Sequence, residues 1–353
     1  MKTRFSIPEI GRFLRDAYGP FLHLSQLEEG DDSQAFSASV DGRDVVVRAA
    51  STRDGFDKDR LVASRWPTTL APIVLDILPI GDGWACISEK APGRTLQSLG
   101  TATREIAPAV CAMMDVIAAS DISPVTGYGP FSAQGKAGFS SWRDFILSIE
   151  GPPQWLALLE AFDYGAPHGL VHGDFGSNNV LVADGRISAV LDWSEAMTGD
   201  PAYDLANLFF WRPWLDCMEA QCSYIEVNEP YRSADAARLL RYQLRIGLQI
   251  RAEAQADADT RLVEWATHRC ATIAAALSGP QEQRLRPPRL TEGHDPSIVS
   301  RNPGERSRSD ARHRIIAPLL RRDRAALARQ GRSGPAPRGC PHRIRIGAAG
   351  LRR

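Results

Sequence analysis

Leu170-Val171-His172-Gly173-Asp174-Phe175-Gly176-Ser177-Asn178-Asn179-Val180-Leu181 is the stretch on which the reading of this chain turns. An apolar run enters a His-Gly-Asp turn, an Asn stands five residues after the Asp, and a strand pattern follows. The Asp184-Gly185 pair then marks a tight turn, and Ile187 to Leu191 reads as the returning strand. It ends on Asp192, eighteen residues after Asp174. A loop Asp and Asn followed by a hairpin and a second Asp is the arrangement that phosphoryl transfer uses. That reaction asks the protein for alignment and charge neutralisation rather than covalent work. Asp174 is the carboxylate that faces the incoming hydroxyl and takes its proton. Magnesium prefers hard oxygen ligands and keeps several waters, so Asn179 and Asp192 suffice beside the phosphates of ATP. A lone His-Gly-Asp also makes an ordinary Asx turn; the spacing to Asn179 and Asp192 outweighs that reading. His172 reads as a brace for the loop, since Asp174 already fills the role of base.

Outward from this stretch the chain divides in character. Phe36 to Val40 and Val45 to Arg48 alternate about an Asp41-Gly42 turn, and Trp84 to Ser88 is entered from Gly81-Asp82-Gly83. Helical spacing is present from Phe5 to Tyr18 and near Lys58 to Trp66. Beyond residue 90, helical periodicity dominates: Ile106 to Ala119, Ser141 to Ile149, Trp155 to Phe162, Pro201 to Phe210 and Ser233 to Ser278. A strand-rich lobe over 1–90 that binds nucleotide, then a helical catalytic and substrate lobe over 91–280 with one embedded hairpin, predicts an α+β, two-lobed, protein-kinase-like fold. A monomer is expected.

Of 353 residues, 43% are apolar and 24% charged, a globular balance. No apolar run reaches the roughly 18–20 residues a membrane helix needs, so neither secretion nor a membrane partner is expected. The six cysteines are scattered without metal-ligand spacing, which reads as reduced thiols in a cytoplasmic protein. The balanced charge of 42 basic and 42 acidic residues hides a division. Residues 281–353 hold eighteen Arg, no Lys and six acidic residues, a net +12, so residues 1–280 carry −12. An acidic body favours a polycationic substrate. The Arg/Pro-rich segment 281–353 has no Phe, Trp or Tyr and is expected to be disordered; nucleic-acid contact through it is the less favoured reading.

The chain resembles the aminoglycoside phosphotransferase family. The resemblance is carried by Gln34-Ala35-Phe36-Ser37, Trp142 to Ile146, Val171 to Leu181, Leu191 to Met197 and Asn207 to Trp214, and runs to about Ser278. Asp192-Trp193-Ser194-Glu195-Ala196 and Phe209 to Trp214 point to its hygromycin branch. The resemblance implies that Asp174 is the base and that Asn179 and Asp192 hold magnesium. It places ATP between the lobes, under the loop that contains Gly30 and Ser33, with the backbone of Glu89 to Ala91 against adenine. Arg48 stands where kinases usually carry a strand lysine, and a guanidinium can pair phosphates; a rim Arg without ligand is the plain alternative. Asp59 is its expected helix partner ahead of Asp57. The stretch between Glu150 and Gly169 is shorter than in the family by roughly a helix.

An aminoglycoside presents ammonium groups and hydroxyls, so its site should offer carboxylates and flat rings. Glu195, Trp211, Trp214 and Asp216 are the candidates, with the last three serving equally well as structure. Asp200 reads as a helix cap, and Asp204 as a brace for the catalytic loop. The function implied is transfer of the ATP γ-phosphate to a hydroxyl of an aminoglycoside, hygromycin B first, conferring resistance. A kinase of another small alcohol or sugar, and a degraded non-catalytic nucleotide-binding homologue, are the alternatives.

Overall fold

The computed structural model describes residues 5–27 and 33–279. Gly30 and the segment 281–353 lie outside the described residues. Helix α1 (Ile7–Tyr18) starts on a capping box, in which Ser6 and Glu9 bond reciprocally. A five-stranded antiparallel sheet follows, built from β1 (Phe21–Gln26), β2 (Gln34–Val40), β3 (Arg43–Ala50), β4 (Val74–Ile80) and β5 (Gly83–Glu89) in the order β1-β2-β3-β5-β4. The β2–β3 turn needs Asp41 and Gly42 both left-handed, at φ 49° and 74°, which is why an Asp-Gly pair forms it. Strand alternation assigns the two faces. Val45, Val47 and Ala49 bury against Ile10 and Leu14 of α1. Arg48 and the Cys86 paired with it face the opposite side, towards α2 (Asp54–Arg65). The edge strands β1 and β4 carry no sequence signal: β1 is largely exposed, and β4 contains Pro79 and a register shift.

The helical part begins with β6 (Arg94–Thr95), α3 (Leu96–Leu99) and α4 (Ala107–Ala118). Then come β7 (Tyr128–Phe131), β8 (Ala137–Phe139), α5 (Trp142–Leu147), α6 (Pro153–Glu160) and β9 (Gly169–Val171). The hairpin β10 (Val180–Ala183) and β11 (Arg186–Val190) is followed by β12 (Met197–Gly199). Helices α7 (Ala202–Trp211), α8 (Asp216–Asn228), α9 (Ala236–Ala256) and α10 (Thr260–Ser278) complete the described chain. The expected single hairpin needs correction. β6 joins it as a third strand, and a separate four-stranded sheet runs β8-β7-β12-β9. Strands of three or four residues, several containing Gly or Pro, show no readable period of two.

The stretch from Ser233 to Ser278 is two helices rather than one, broken at Asp257-Ala258-Asp259, where Asp259 caps α10 by accepting the Leu262 N–H at 3.0 Å. Helix α7 is buried at every position from Tyr203 to Trp211 and forms the centre of the core. None of the described helices is long and apolar enough to cross a membrane. The five described cysteines are buried, and none forms a disulfide among the described residues.

Candidate active site

The loop that carries Asp174 hangs between two anchored ends. Buried β9 delivers the chain into His172, whose backbone N–H and that of Gly173 donate to the two carboxylate oxygens of Asp204 at 2.8 and 2.9 Å. The fully buried His172 ring accepts the Asp174 N–H on Nδ1 at 3.2 Å, so Nε2 carries the proton and donates to the Leu191 carbonyl at 2.9 Å. The ring braces the loop, and Asp204 holds it from below. Gly173 is obligatory: its φ is 87°, and a Cβ would sit 2.5 Å from the Glu195 carbonyl oxygen.

Asp174 leaves this loop with its carboxylate fixed. The Asn179 side-chain N–H donates to Oδ2 and to the Asp174 carbonyl, both at 2.9 Å. Asn207, from α7, donates to the Phe175 carbonyl at 3.2 Å and reaches Oδ1 at 3.5 Å. With the Asn179 amide nitrogen committed to Asp174, its side-chain oxygen is the atom suited to a hard cation. In the β10–β11 register Val180 faces Val190, and the Leu191 N–H donates to the Asn179 carbonyl at 2.7 Å. Asn179 and Asp192 therefore emerge at one end of the hairpin. Asp192 adopts a left-handed φ of 56°, a costly conformation for a non-glycine residue and one found at functional sites. One carboxylate and one amide oxygen, with no third protein ligand, fit magnesium held largely by water and phosphates. No denser cluster of metal-ligating side chains occurs among the described residues.

Arg48 forms an ion pair with Asp59 of α2, while Asp57 is taken by a two-pronged bond from Arg53 at 2.7 and 2.8 Å. Burial alone would lower the Arg48 pKa, but the charges of Asp59, Cys86 and Asp192 raise it, so the guanidinium stays charged. Ser33 is half-buried just before β2, and Glu89 and Ala91 lie where the chain leaves β5 for the helical part.

One cavity opens beside Asp174. It is lined by Asp174, Glu195, Asn207, Trp211, Arg245 and Gln249, with Phe139, Phe145 and Tyr203 among its aromatic walls. Glu195 and Trp211 are thus brought to Asp174. Trp211 is also core, stacked on Trp265 at 5.2 Å and 9°. Trp214 and Asp216 are not among the lining residues. Trp214 packs edge-on to Trp265 at 4.7 Å, and exposed Asp216 starts α8. Glu219, in the same acidic run, is spent on Arg212. Asp200 accepts the Ala202 N–H at 3.0 Å and the Tyr242 hydroxyl at 2.7 Å, which makes it structural. Sequence reasoning missed Asn207, Arg245 and Gln249. The last two belong to a polar stripe with Glu253, every fourth residue on the buried side of α9, in which Arg245 donates to Gln249 at 2.5 Å and Gln249 to Glu253 at 3.0 Å. Polar residues at a spacing of four within an otherwise apolar helix face were the available signal.

An oriented carboxylate beside two oxygen ligands and a guanidinium, facing a cavity of rings and carboxylates, is suited to moving a phosphoryl group onto a hydroxyl. A sequence model of the phosphotransferase enzyme family matches residues 139–235. The chain is 40% identical over 301 residues to hygromycin-B 4-O-kinase of Escherichia coli, across 79% of this chain and 88% of that protein. It is 31% identical over 147 residues to viomycin phosphotransferase of Streptomyces vinaceus, across 35% and 48%. Among solved structures, a thermostable mutant of aminoglycoside phosphotransferase APH(4)-Ia in ternary complex with AMP-PNP and hygromycin B is 40% identical, with a TM-score of 0.72 across 77% of this chain and all of that one. Aminoglycoside 2'-phosphotransferase-IIIa shares the fold at a TM-score of 0.56 and 14% identity, across 77% and 99%. The chain belongs to the aminoglycoside phosphotransferase family.

Proposed function

We propose that this protein transfers the γ-phosphoryl group of ATP to a hydroxyl of hygromycin B, the 4-hydroxyl by likeness to its relative, and so confers resistance in the cytoplasm. The observation that carries this reading is Asp174, held by Asn179 beside Asn207, at the edge of a cavity that also contains Glu195 and Trp211. Asp174 orients the acceptor hydroxyl and takes its proton as the new O–P bond forms and ADP departs. The side-chain oxygens of Asn179 and Asp192 hold magnesium, which when bound with ATP offsets phosphate charge. Arg48, fixed by Asp59, pairs phosphate oxygens. Gly30 and Ser33 are assigned to nucleotide binding, and the backbone from Glu89 to Ala91 meets adenine. Glu195 receives an ammonium group of the antibiotic, and Trp211 offers an apolar wall to a sugar face. Trp214 and Asp216 stay outside this assignment.

The test is expression in a hygromycin-sensitive host beside Asp174→Ala, with coupled-assay turnover of the purified protein on hygromycin B, viomycin, other aminoglycosides and choline. Protection by the wild type alone, with hygromycin B the preferred acceptor, is the expected outcome. Soluble wild-type protein that neither protects nor turns over hygromycin B would defeat the proposal.

A further inference from the structure

Two consecutive residues of α2 grip the loop that follows Asp192. Lys58 is 4% exposed, and its ammonium donates to the carbonyl oxygens of Ser194 at 2.6 Å and Ala196 at 3.1 Å. The ammonium also sits over the Phe131 ring, 5.2 Å from its centroid. Next to it, Asp59 accepts the Trp193 N–H at 2.8 Å on one oxygen and pairs Arg48 with the other. A buried ammonium is costly unless its donors are used, so simple packing of the two lobes would not need a lysine here. Two carbonyls turned towards one ammonium specify a loop shape instead. Across the same contact, a Cβ on Gly55 would lie 3.3 Å from the Ser194 Cβ, so a side chain added there must push the Ser194 loop away.

We propose that Lys58 is a positioning residue that ties the Trp193–Ala196 loop to α2, and through it couples the nucleotide side of the cleft to the acceptor side. Arg48 reports to α2 from the phosphate side through Asp59. Glu195 reports from the acceptor cavity, and Asp192, in its left-handed conformation, stands at the head of the same loop. A nucleotide that engages Arg48 steadies α2, and α2 then holds Glu195 where the acceptor meets it. The two ligands accordingly bind with positive coupling. The inference rests on the phosphotransferase reading, which wild-type turnover of hygromycin B tests separately.

The experiment compares wild type with Lys58→Met, which keeps the side-chain stem and removes its donors. Hydrogen exchange of the Trp193, Glu195 and Ala196 amides is measured on the full chain without ligands. Calorimetry then gives the hygromycin B affinity with and without magnesium AMP-PNP. In Lys58→Met the loop amides are expected to exchange at least about tenfold faster, and the gain in acceptor affinity on adding nucleotide to be lost. Should Lys58→Met fail to fold, Gly55→Val displaces the same loop from the other side, and adding Ser194→Gly makes room again. Loss of coupling in Gly55→Val with recovery in the double variant is the expected pattern. Wild-type loop exchange and wild-type coupling in a folded Lys58→Met, or in Gly55→Val, would overturn the proposal, as would a wild type with no coupling at all.

Discussion

Removal of the Asp204 carboxylate tests the account of the catalytic loop most directly. Asp204 is 3% exposed and accepts two backbone N–H groups, from His172 at 2.8 Å and Gly173 at 2.9 Å. Asp204→Ala leaves both donors buried without a partner. Each orphaned group costs about 1–3 kcal/mol, so the pair costs about 4 kcal/mol. In a folded body of this size the unfolding entropy makes each kcal/mol worth roughly 2 °C of melting temperature, which predicts a fall of about 7–8 °C. The loop that loses its brace carries Asp174, and misplacement of a reacting group by about 1 Å costs on the order of 10²-fold in rate. Melting followed by near-UV circular dichroism, and kcat measured well below the variant's transition, report the two effects independently. A variant that melts within about 2 °C of wild type would refute the hydrogen-bond accounting. A variant with the full loss of stability but an unchanged kcat would show that Asp174 is placed by Asn179 and Asn207 alone.

Glu253 supplies a pH dependence. Burial first, and the Glu195 charge after it, push its carboxyl well above the ordinary range despite a hydrogen bond from Gln249. The folded state therefore holds this proton more tightly than the unfolded chain. Its contribution to stability is full below about pH 4.3 and declines as pH rises through the raised value. Glu253→Gln should melt close to wild type at pH 5 and above it at pH 8; an equal difference at both pH values would exclude this account. Trp265 lies between Trp211 and Trp214, at 5.2 and 4.7 Å. Trp265→Ala should cost about 3 kcal/mol in denaturant unfolding and raise the acceptor KM more than the ATP KM, because Trp211 loses its backing on the cavity wall. A KM change confined to ATP would contradict that placement.

What was legible in the sequence was local. Asp174, Asn179 and Asp192 are spaced by a loop and a hairpin whose turn residues, Asp184 and Gly185, adopt the left-handed conformations their types favour. The positions of all three follow once that hairpin forms. The Asp41-Gly42 turn and the alternation of β2 and β3 were readable for the same reason. The four-stranded sheet β8-β7-β12-β9 was not, since its strands are too short to show a period and take their partners from distant parts of the chain. Helix α8 was missed because its first turn is acidic and its buried positions include Cys217, Gln221 and Cys222, a mixture with weak amphipathic contrast.

The cavity beside Asp174 resisted reading for a deeper reason. Its wall is shared with the core, so a side chain there answers to two demands at once. Trp211 is 2% exposed and stacked on Trp265, yet its remaining edge faces the cavity with Asp174. From sequence such a residue cannot be separated from Phe210, which is buried on the same helix and is not among the lining residues. Trp214, three residues on, looked equivalent; it packs edge-on to Trp265 and is not among the lining residues. The division has a consequence for change at the site. A substitution at Trp211 alters acceptor fit only by also giving up core packing. Gln249 is half-buried on the stripe of α9, and its exchange costs less in packing while it still lines the cavity. A shift of acceptor preference at small cost in stability is therefore to be sought at Gln249 before Trp211.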